Sequence, residues 1–340
     1  MPRLTGMTLA ICTRNRPDDL ERCIAAIARQ AADIPLEVMI VDDGELPPET
    51  VRRLERLLAN GCSRDSGSGD ESDDPCDSEA EGRDSASIAF AYYRKQLPGL
   101  LRSRMTAVEK ATHGVILFLD DDAELTPGYL RRLAAWYERR PQAAGVGGID
   151  RNLRSNWRWD LFTRFFLYDS REPGKLSPSS YGGSMTRWGA MRRPFRTEYL
   201  LGCNMSFRKL ALAGLSPAEW LQGYSVGEDL YLSDRAMRSG ELWIDPALQV
   251  DHRHSPASRD RDALVAYTEI VNHHHLLKLK QAGIARHAAH LWTSLGLLAR
   301  AWACKRWRHR SASYWKAIRF VLADDWRRLT RESVSNPGHG

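Results

Sequence analysis

Three consecutive aspartates, Asp120-Asp121-Asp122, follow directly on the apolar run VILFL. Three carboxylates at one strand end repel each other unless cations or donors compensate them, so the run reads as a place to hold a metal. Hard oxygen donors suit Mg²⁺ or Mn²⁺, and such an ion in turn neutralises a diphosphate. The plainer alternative is a solvated acidic turn ahead of the next helix. A second group, Gly227-Glu228-Asp229, opens the expected helix Asp229–Ser239. An alcohol hydroxyl titrates far above neutrality and needs a positioned carboxylate to take its proton as a bond forms. A carboxylate at a helix start is also a common cap, and Arg235 is either a surface charge or its counter-ion.

His252 ends the strand-like LWIDPALQVDH, with His254 close behind. A lone strand-end histidine is usually structural, but an acidic triplet short of protein ligands makes it a candidate metal ligand. In the helical run His273-His274-His275, successive rings point to different faces and cannot chelate together. Asp42 and Asp43 end the strand LEVMIVDD, where the ligand crevice of an α/β sheet is expected, and Asp43 can accept the N3–H of a uracil or thymine base. Two other acidic chemistries do not fit. Prenyl transfer wants DDxxD on a helix, where Ala123 and Glu124 stand. Dehalogenase-type phosphatases want a small Thr or Val at Glu124.

The elements that carry these residues alternate. MTLAIC, LEVMIVDD, SIAFAYY and GVILFLDDD read as strands, with helices predicted from Pro17 through Ala31, over Pro48–Ala59 and over Gly99–Thr112. That order predicts a parallel α/β sheet with its site at the carboxyl ends of the strands. QAAGVGGI, LLGCNMSF and ELWIDPALQVDH add further strands, with Gly240 expected as the C-cap of the helix before the last. Arg151–Arg196 reads as an irregular basic, aromatic region beside the site. From Asp262 onward the sequence is helical. We therefore divide the chain into a catalytic unit at residues 1–255 and a basic, Trp-rich helical region at 256–340. Within the first, 60–87 is a polar, acidic insertion with almost no large apolar residues, expected to be disordered.

The chain has 340 residues, 43% apolar and 27% charged, enough for a sizeable core. Its six cysteines show neither a CxxC pair nor zinc spacing, which argues against a disulfide framework and a structural zinc. The strand-like MTLAIC follows Met1 almost at once, and the expectation is a cytoplasmic chain without a leader. No nucleic-acid motif accompanies the net charge of +6, so a nucleic-acid partner is not expected.

The ordered series CTRNRP (12–17), VDDGE (41–45), SRMTAVEKATHGVILFLDDD (103–122), GCNMSFRK (202–209), GEDLYLSDRAMRSG (227–240) and VDH (250–252) is similar to that of inverting family 2 glycosyltransferases with the GT-A fold. The resemblance spans roughly residues 7–255. It departs from the family pattern at Arg14, Met105 and Glu45, where Tyr, Asn and Ser are usual. It implies a GT-A fold, Rossmann-like with a mostly parallel sheet flanked by helices, here followed by a C-terminal helical extension. By the same resemblance, Thr13, Arg14, Asp43 and Arg104 line the nucleotide-sugar site, with Asp120 and Asp121 near the ribose and the metal. Asp122 is then the direct ligand of Mn²⁺ or Mg²⁺, helped by Asp120 and His252, with Asp229 the catalytic base and Glu228 its neighbour on the acceptor side.

The implied reaction moves a sugar from a nucleoside diphosphate, UDP or dTDP by the Asp43 argument, to a hydroxyl of a glycan or lipid-linked acceptor. A sugar-phosphate nucleotidyltransferase would show a glycine-rich loop after the first strand, and CTRNRP has no glycine. A non-catalytic nucleotide-sugar-binding module would leave Glu228-Asp229 without purpose. In Ala289–Leu329, Trp and Leu mix with clustered Lys and Arg, which predicts peripheral contact with the inner face of a membrane.

Overall fold

The computed structural model describes residues 4–30, 33–61, 88–221, 225–253 and 262–335, with side chains through Asp324. The first two residues of the acidic insertion, Asn60 and Gly61, close a helix, while its positions 62–87 and His254 lie outside the described residues.

Four strands build the first half of a sheet. They are β1 (Met7–Thr13), β2 (Leu36–Asp42), β3 (Ile88–Arg94) and β4 (Val115–Asp120), parallel in the order β3-β2-β1-β4. β1 and β2 are covered on both faces, which is why their sequences are mostly apolar rather than alternating, with the buried Thr8 hydroxyl donating to Glu37 Oε2 at 2.6 Å. The covering helices are α1 (Pro17–Ala28), α2 (Pro48–Gly61) and α3 (Leu100–Lys110). α1 stops short of the expected Ala31, with Arg29 as its C-cap.

Beyond β4 the sheet becomes mixed. β8 (Asn204–Arg208) runs antiparallel to β4 and to β6 (Ala143–Asp150), and β6 lies parallel to the long β9 (Glu241–His252). The far edge of β9 carries β7 (Phe195–Thr197) and β5 (Ala123–Leu125), both antiparallel. The β6–β9 register shifts between Gly147 and Ile149, opposite Pro246. Proline has no N–H for the ladder, so β9 bulges there before pairing again at Gln249. Close approach makes glycine necessary at 148, since a Cβ would lie 2.0 Å from Leu248 O. Because β8 is reversed, its amino end meets the carboxyl ends of β4, β6 and β9. Asp120, Gly202-Cys203, Asp150 and His252 therefore converge.

α4 (Tyr129–Arg139) follows β5, and α6 (Glu228–Met237) leads into β9. α6 ends at Met237 with Arg238 as C-cap, not at Gly240. Gly240 instead passes close to Gln142 O, 2.4 Å from where its Cβ would stand. The region read as irregular contains α5 (Trp157–Phe165) and a 3-10 helix at Gly183–Ala190. Three helices close the chain, α7 (Asp262–Leu279), α8 (Ile284–Ala303) and α9 (Ser311–Ser335). They share a second core with Tyr181, built on Ile270, Leu297, Leu298 and Ile318. Residues ahead of position 256 thus help to form the core of the C-terminal helices. No helix among the described residues is long and apolar enough to cross a membrane.

Candidate functional site

A cleft of about 870 Å³ opens at the carboxyl ends of β1, β2, β4 and β9. All ten residues singled out from the sequence line it.

At its floor, β4 delivers the aspartates. Asp120 and Asp122 each bring a carboxylate oxygen, and His252 a ring nitrogen, within 4.8 Å of one another. His252 Nε2 is 3.0 Å from Asp122 Oδ1 and 3.9 Å from Asp120 Oδ2. On the other side of the ring, Nδ1 faces Asp150 Oδ2 at 3.6 Å. Burial disfavours a charged ring, but the carboxylates of Asp122 and Asp150 outweigh it and raise the His252 pKa well above its ordinary value. The site is thus electronegative enough to hold a proton where a dication fits. Two carboxylate oxygens and one imidazole nitrogen, braced from behind by a further carboxylate, suit a divalent ion of the Mn²⁺ or Mg²⁺ type.

Asp121 points the other way. Its Oδ2 accepts from Thr13 Oγ1 at 2.7 Å, and its Oδ1 takes Arg16 at 3.0 Å. Burial pushes its carboxyl up to about 7, although Arg16 and Thr13 pull it down. Arg16 also reaches Asp122 at 3.6 Å.

Arg104, on α3, is almost fully buried and ties three elements together. It donates to Glu228 Oε1, to Asp120 Oδ1 at 3.3 Å and to the carbonyl of Gly202 at 3.0 Å. Glycine at 202 permits this approach, since a Cβ there would sit 3.3 Å from both Arg104 Nη2 and Glu228 Oε1. The counter-ion of the Gly227-Glu228-Asp229 group is therefore Arg104. Arg235 instead donates to the carbonyl of Ala213. Gly227 caps α6 at φ 90°, a left-handed conformation that favours glycine. Glu228 then faces Arg104 and Asp229 turns to the cleft, one of its oxygens accepting from Leu230 N at 2.8 Å. Burial raises the Glu228 carboxyl to about 8 despite Arg104, and it raises that of Asp229 as well.

Asp43 lies at the far end of the cleft, with Lys95 2.8 Å from its Oδ1 and Gly99 N donating to its Oδ2 at 2.6 Å. Its neighbour Asp42 is fully buried and shapes the turn by accepting from Gly44 N, Leu46 N and the Tyr92 hydroxyl. The opposite wall comes from the aromatic region and α7, with Tyr168, Tyr181, Val265, Glu269 and His273. His273 stacks on Tyr181 at 3.7 Å, while His274 pairs with Asp324 on α9 at 2.9 Å, so the histidine run splits between cleft and core.

Sequence reading placed the aromatic region beside the site, as found for Tyr168 and Tyr181, but missed Asp150, Arg16 and the α7 part of this wall. Asp150 ends a strand next to β9, which was visible, but the β6–β9 pairing was not.

Residues 8–64 and 62–198 match the sequence pattern of Glycosyl transferase family 2. The chain belongs to that family. No curated protein sequence matches it significantly. Among solved structures, mannosyltransferase PcManGT from Pyrobaculum calidifontis, with GDP-Man and Mn²⁺, is similar at a TM-score of 0.51. Identity is 15%, over 96% of this chain and 88% of that one. GalNAc-T7 with UDP, GalNAc and Mn²⁺ gives 0.49 at 15% identity, over 73% of this chain and 44% of that one. The chain thus spans less than half of that protein. TarS 1-349 of S. aureus gives 0.47 at 13%, over 98% and 92%. The GT-A expectation holds, with helices following the sheet, and this family 2 protein is a glycosyltransferase.

Proposed function

We propose that the chain is a metal-dependent, inverting glycosyltransferase that passes a sugar from a nucleoside diphosphate to an acceptor hydroxyl in cell-surface glycan or glycolipid assembly. The observation that carries this is the cluster of Asp120, Asp122 and His252 in the same cleft as Asp229. A shared fold with a mannosyltransferase solved with GDP-Man and Mn²⁺ supports it.

Asp122, Asp120 and His252 would hold Mn²⁺ or Mg²⁺, which when bound offsets the charge of the diphosphate. Thr13, Arg14 and Asp43 line the nucleoside end, where Asp43 favours a uracil or thymine base and hence UDP or dTDP. Asp121, fixed by Thr13 and Arg16, faces the ribose. Arg104 adds positive charge beside the departing diphosphate while holding Glu228 and Asp120 in place. Asp229 takes the proton of the acceptor hydroxyl as its oxygen bonds to the anomeric carbon. The bond to the diphosphate breaks with its electron pair leaving on the phosphate oxygen, so one displacement inverts the centre. The aromatic wall of Tyr168 and Tyr181 receives the acceptor, a glycan or lipid-linked saccharide, with Glu228 on that side.

Residues 1–255 supply the donor machinery and 256–340 close the acceptor end. The enzyme works in the cytoplasm, peripherally at the inner face of the membrane. A thermal-shift panel of UDP-, dTDP- and GDP-sugars, with and without Mn²⁺, tests this. Stabilisation by at least one donor only with metal is expected, and stabilisation by none contradicts the reading.

A further inference from the structure

α5 shows three large apolar side chains to the outside at helical spacing, Trp157, Leu161 and Phe165, with 70%, 63% and 62% of their surface exposed. Residues four apart share a helix face, so this is one stripe, and it points away from the core. α8 lies beside it. Trp292 Nε1 donates to Phe165 O at 2.8 Å and Thr293 Oγ1 to Phe166 O at 2.6 Å. Gly296 lets the helices close, since a Cβ there would stand 2.3 Å from the Phe166 ring.

The outward positions of α8 continue the apolar surface. They are Ile284, Ala288, Trp292, Leu295, Ala299 and Trp302, all exposed. The two arginines of α8 turn away from this face. Arg286 donates to Ser180 Oγ at 3.0 Å, and Arg300 lies over the Trp159 ring at 4.5 Å. α8 has no carboxylate, and the one on α5, Asp160, accepts from Ser155. Exposed cations border the patch, with Arg154 and Arg158 at the start of α5 on the side of Lys305, Arg306 and Arg308, since Arg300 lies over both Trp159 and Trp307, and with Arg164 near the end of α5.

We propose that this α5–α8 face docks on an anionic lipid bilayer. An apolar stripe with aromatic anchors and a cationic rim matches the acyl–headgroup boundary in both polarity and charge. It deepens the peripheral-membrane reading above and rests on it, but narrows the contact from the whole of Ala289–Leu329 to its α8 part and adds α5. It also gives the contact a purpose. Tyr168, three residues past Phe165, lines the cleft, so the acceptor end of the site opens beside the docking face.

Co-sedimentation of the full chain with phosphatidylcholine vesicles, with and without phosphatidylglycerol, at low and high salt tests this. Trp157→Ser with Leu161→Ser, and Leu295→Ser with Trp302→Ser, should each weaken partitioning to anionic vesicles by about tenfold or more. Lys316→Gln with Arg319→Gln on α9 should change it little, and all variants should keep the wild-type melting temperature. If the wild type binds and the α5 and α8 variants bind equally, this face is refuted while membrane contact stands. If the wild type ignores anionic vesicles yet is still stabilised by a donor with Mn²⁺, docking is refuted and the transfer reading stands. A dimer in light scattering that the α5 variant dissociates would make the face an interface between copies and also refute the proposal.

Discussion

Arg104 Nη1 donates to Glu228 Oε1 across 124 residues of sequence, and both side chains are buried. The same guanidinium reaches Asp120 and the carbonyl of Gly202, so one side chain sets the distance between the strand-end aspartates and the start of α6. Removing one partner of such a pair leaves the other desolvated and without its hydrogen bonds. Arg104→Gln should therefore lose about 3–5 kcal/mol in urea unfolding, whereas Glu228→Gln, which leaves Arg104 with Asp120 and Gly202, should lose less. Equal and small losses would mean that water reaches the pair.

Acidification should stop turnover before ordinary aspartates titrate. Burial raises the Asp229 carboxyl, and a base works only when ionised, so activity is lost as pH falls through a value above the usual aspartate range. The acid limb of the kcat/KM profile measures this. A limb at or below the ordinary aspartate pKa would place Asp229 in a wetter setting than the structure gives it.

Asp324 offers a stability readout outside the cleft. Burial works against its charge, but Lys278 at 2.7 Å and His274 at 2.9 Å prevail and lower its pKa to about 2. A depressed carboxylate stabilises the fold above its unfolded pKa and stops doing so as pH falls through the folded one. The stability difference between wild type and Asp324→Asn should be present at neutral pH and vanish between about pH 4 and 2. A pH-independent difference would mean that the side chain acts through packing.

Gly296 should reverse a general rule. Glycine to alanine inside a helix usually stabilises by up to about 1 kcal/mol. Here the new Cβ would meet the Phe166 ring, so Gly296→Ala should destabilise by about 1–3 kcal/mol. Stabilisation on thermal melting would show that α5 and α8 do not pack this closely.

The sequence made most of this site readable, because strand ends advertise themselves. Asp120–Asp122 after VILFL and His252 after a long strand lie at the carboxyl ends of β4 and β9, where the sheet brings them together. What stayed hidden depends on pairing at a distance. Asp150 matters only because β6 lies parallel to β9, and Arg104 reaches Glu228 only because the reversed β8 draws Gly202 beside both. α5 was missed for another reason. Its spacing at 157, 161 and 165 was visible, but an apolar stripe normally faces a core, and this one faces outward.

The central claim is a division of labour, with Asp122 on the metal and donor and Asp229 on the acceptor proton. Calorimetric titration of the preferred nucleoside diphosphate, with and without Mn²⁺, tests it in wild type, Asp122→Ala and Asp229→Asn. Wild type and Asp229→Asn should bind alike with Mn²⁺ while turnover of the latter falls by about 10²-fold or more, and Asp122→Ala should lose metal-dependent binding. Equal loss of nucleotide affinity in both variants would contradict the account.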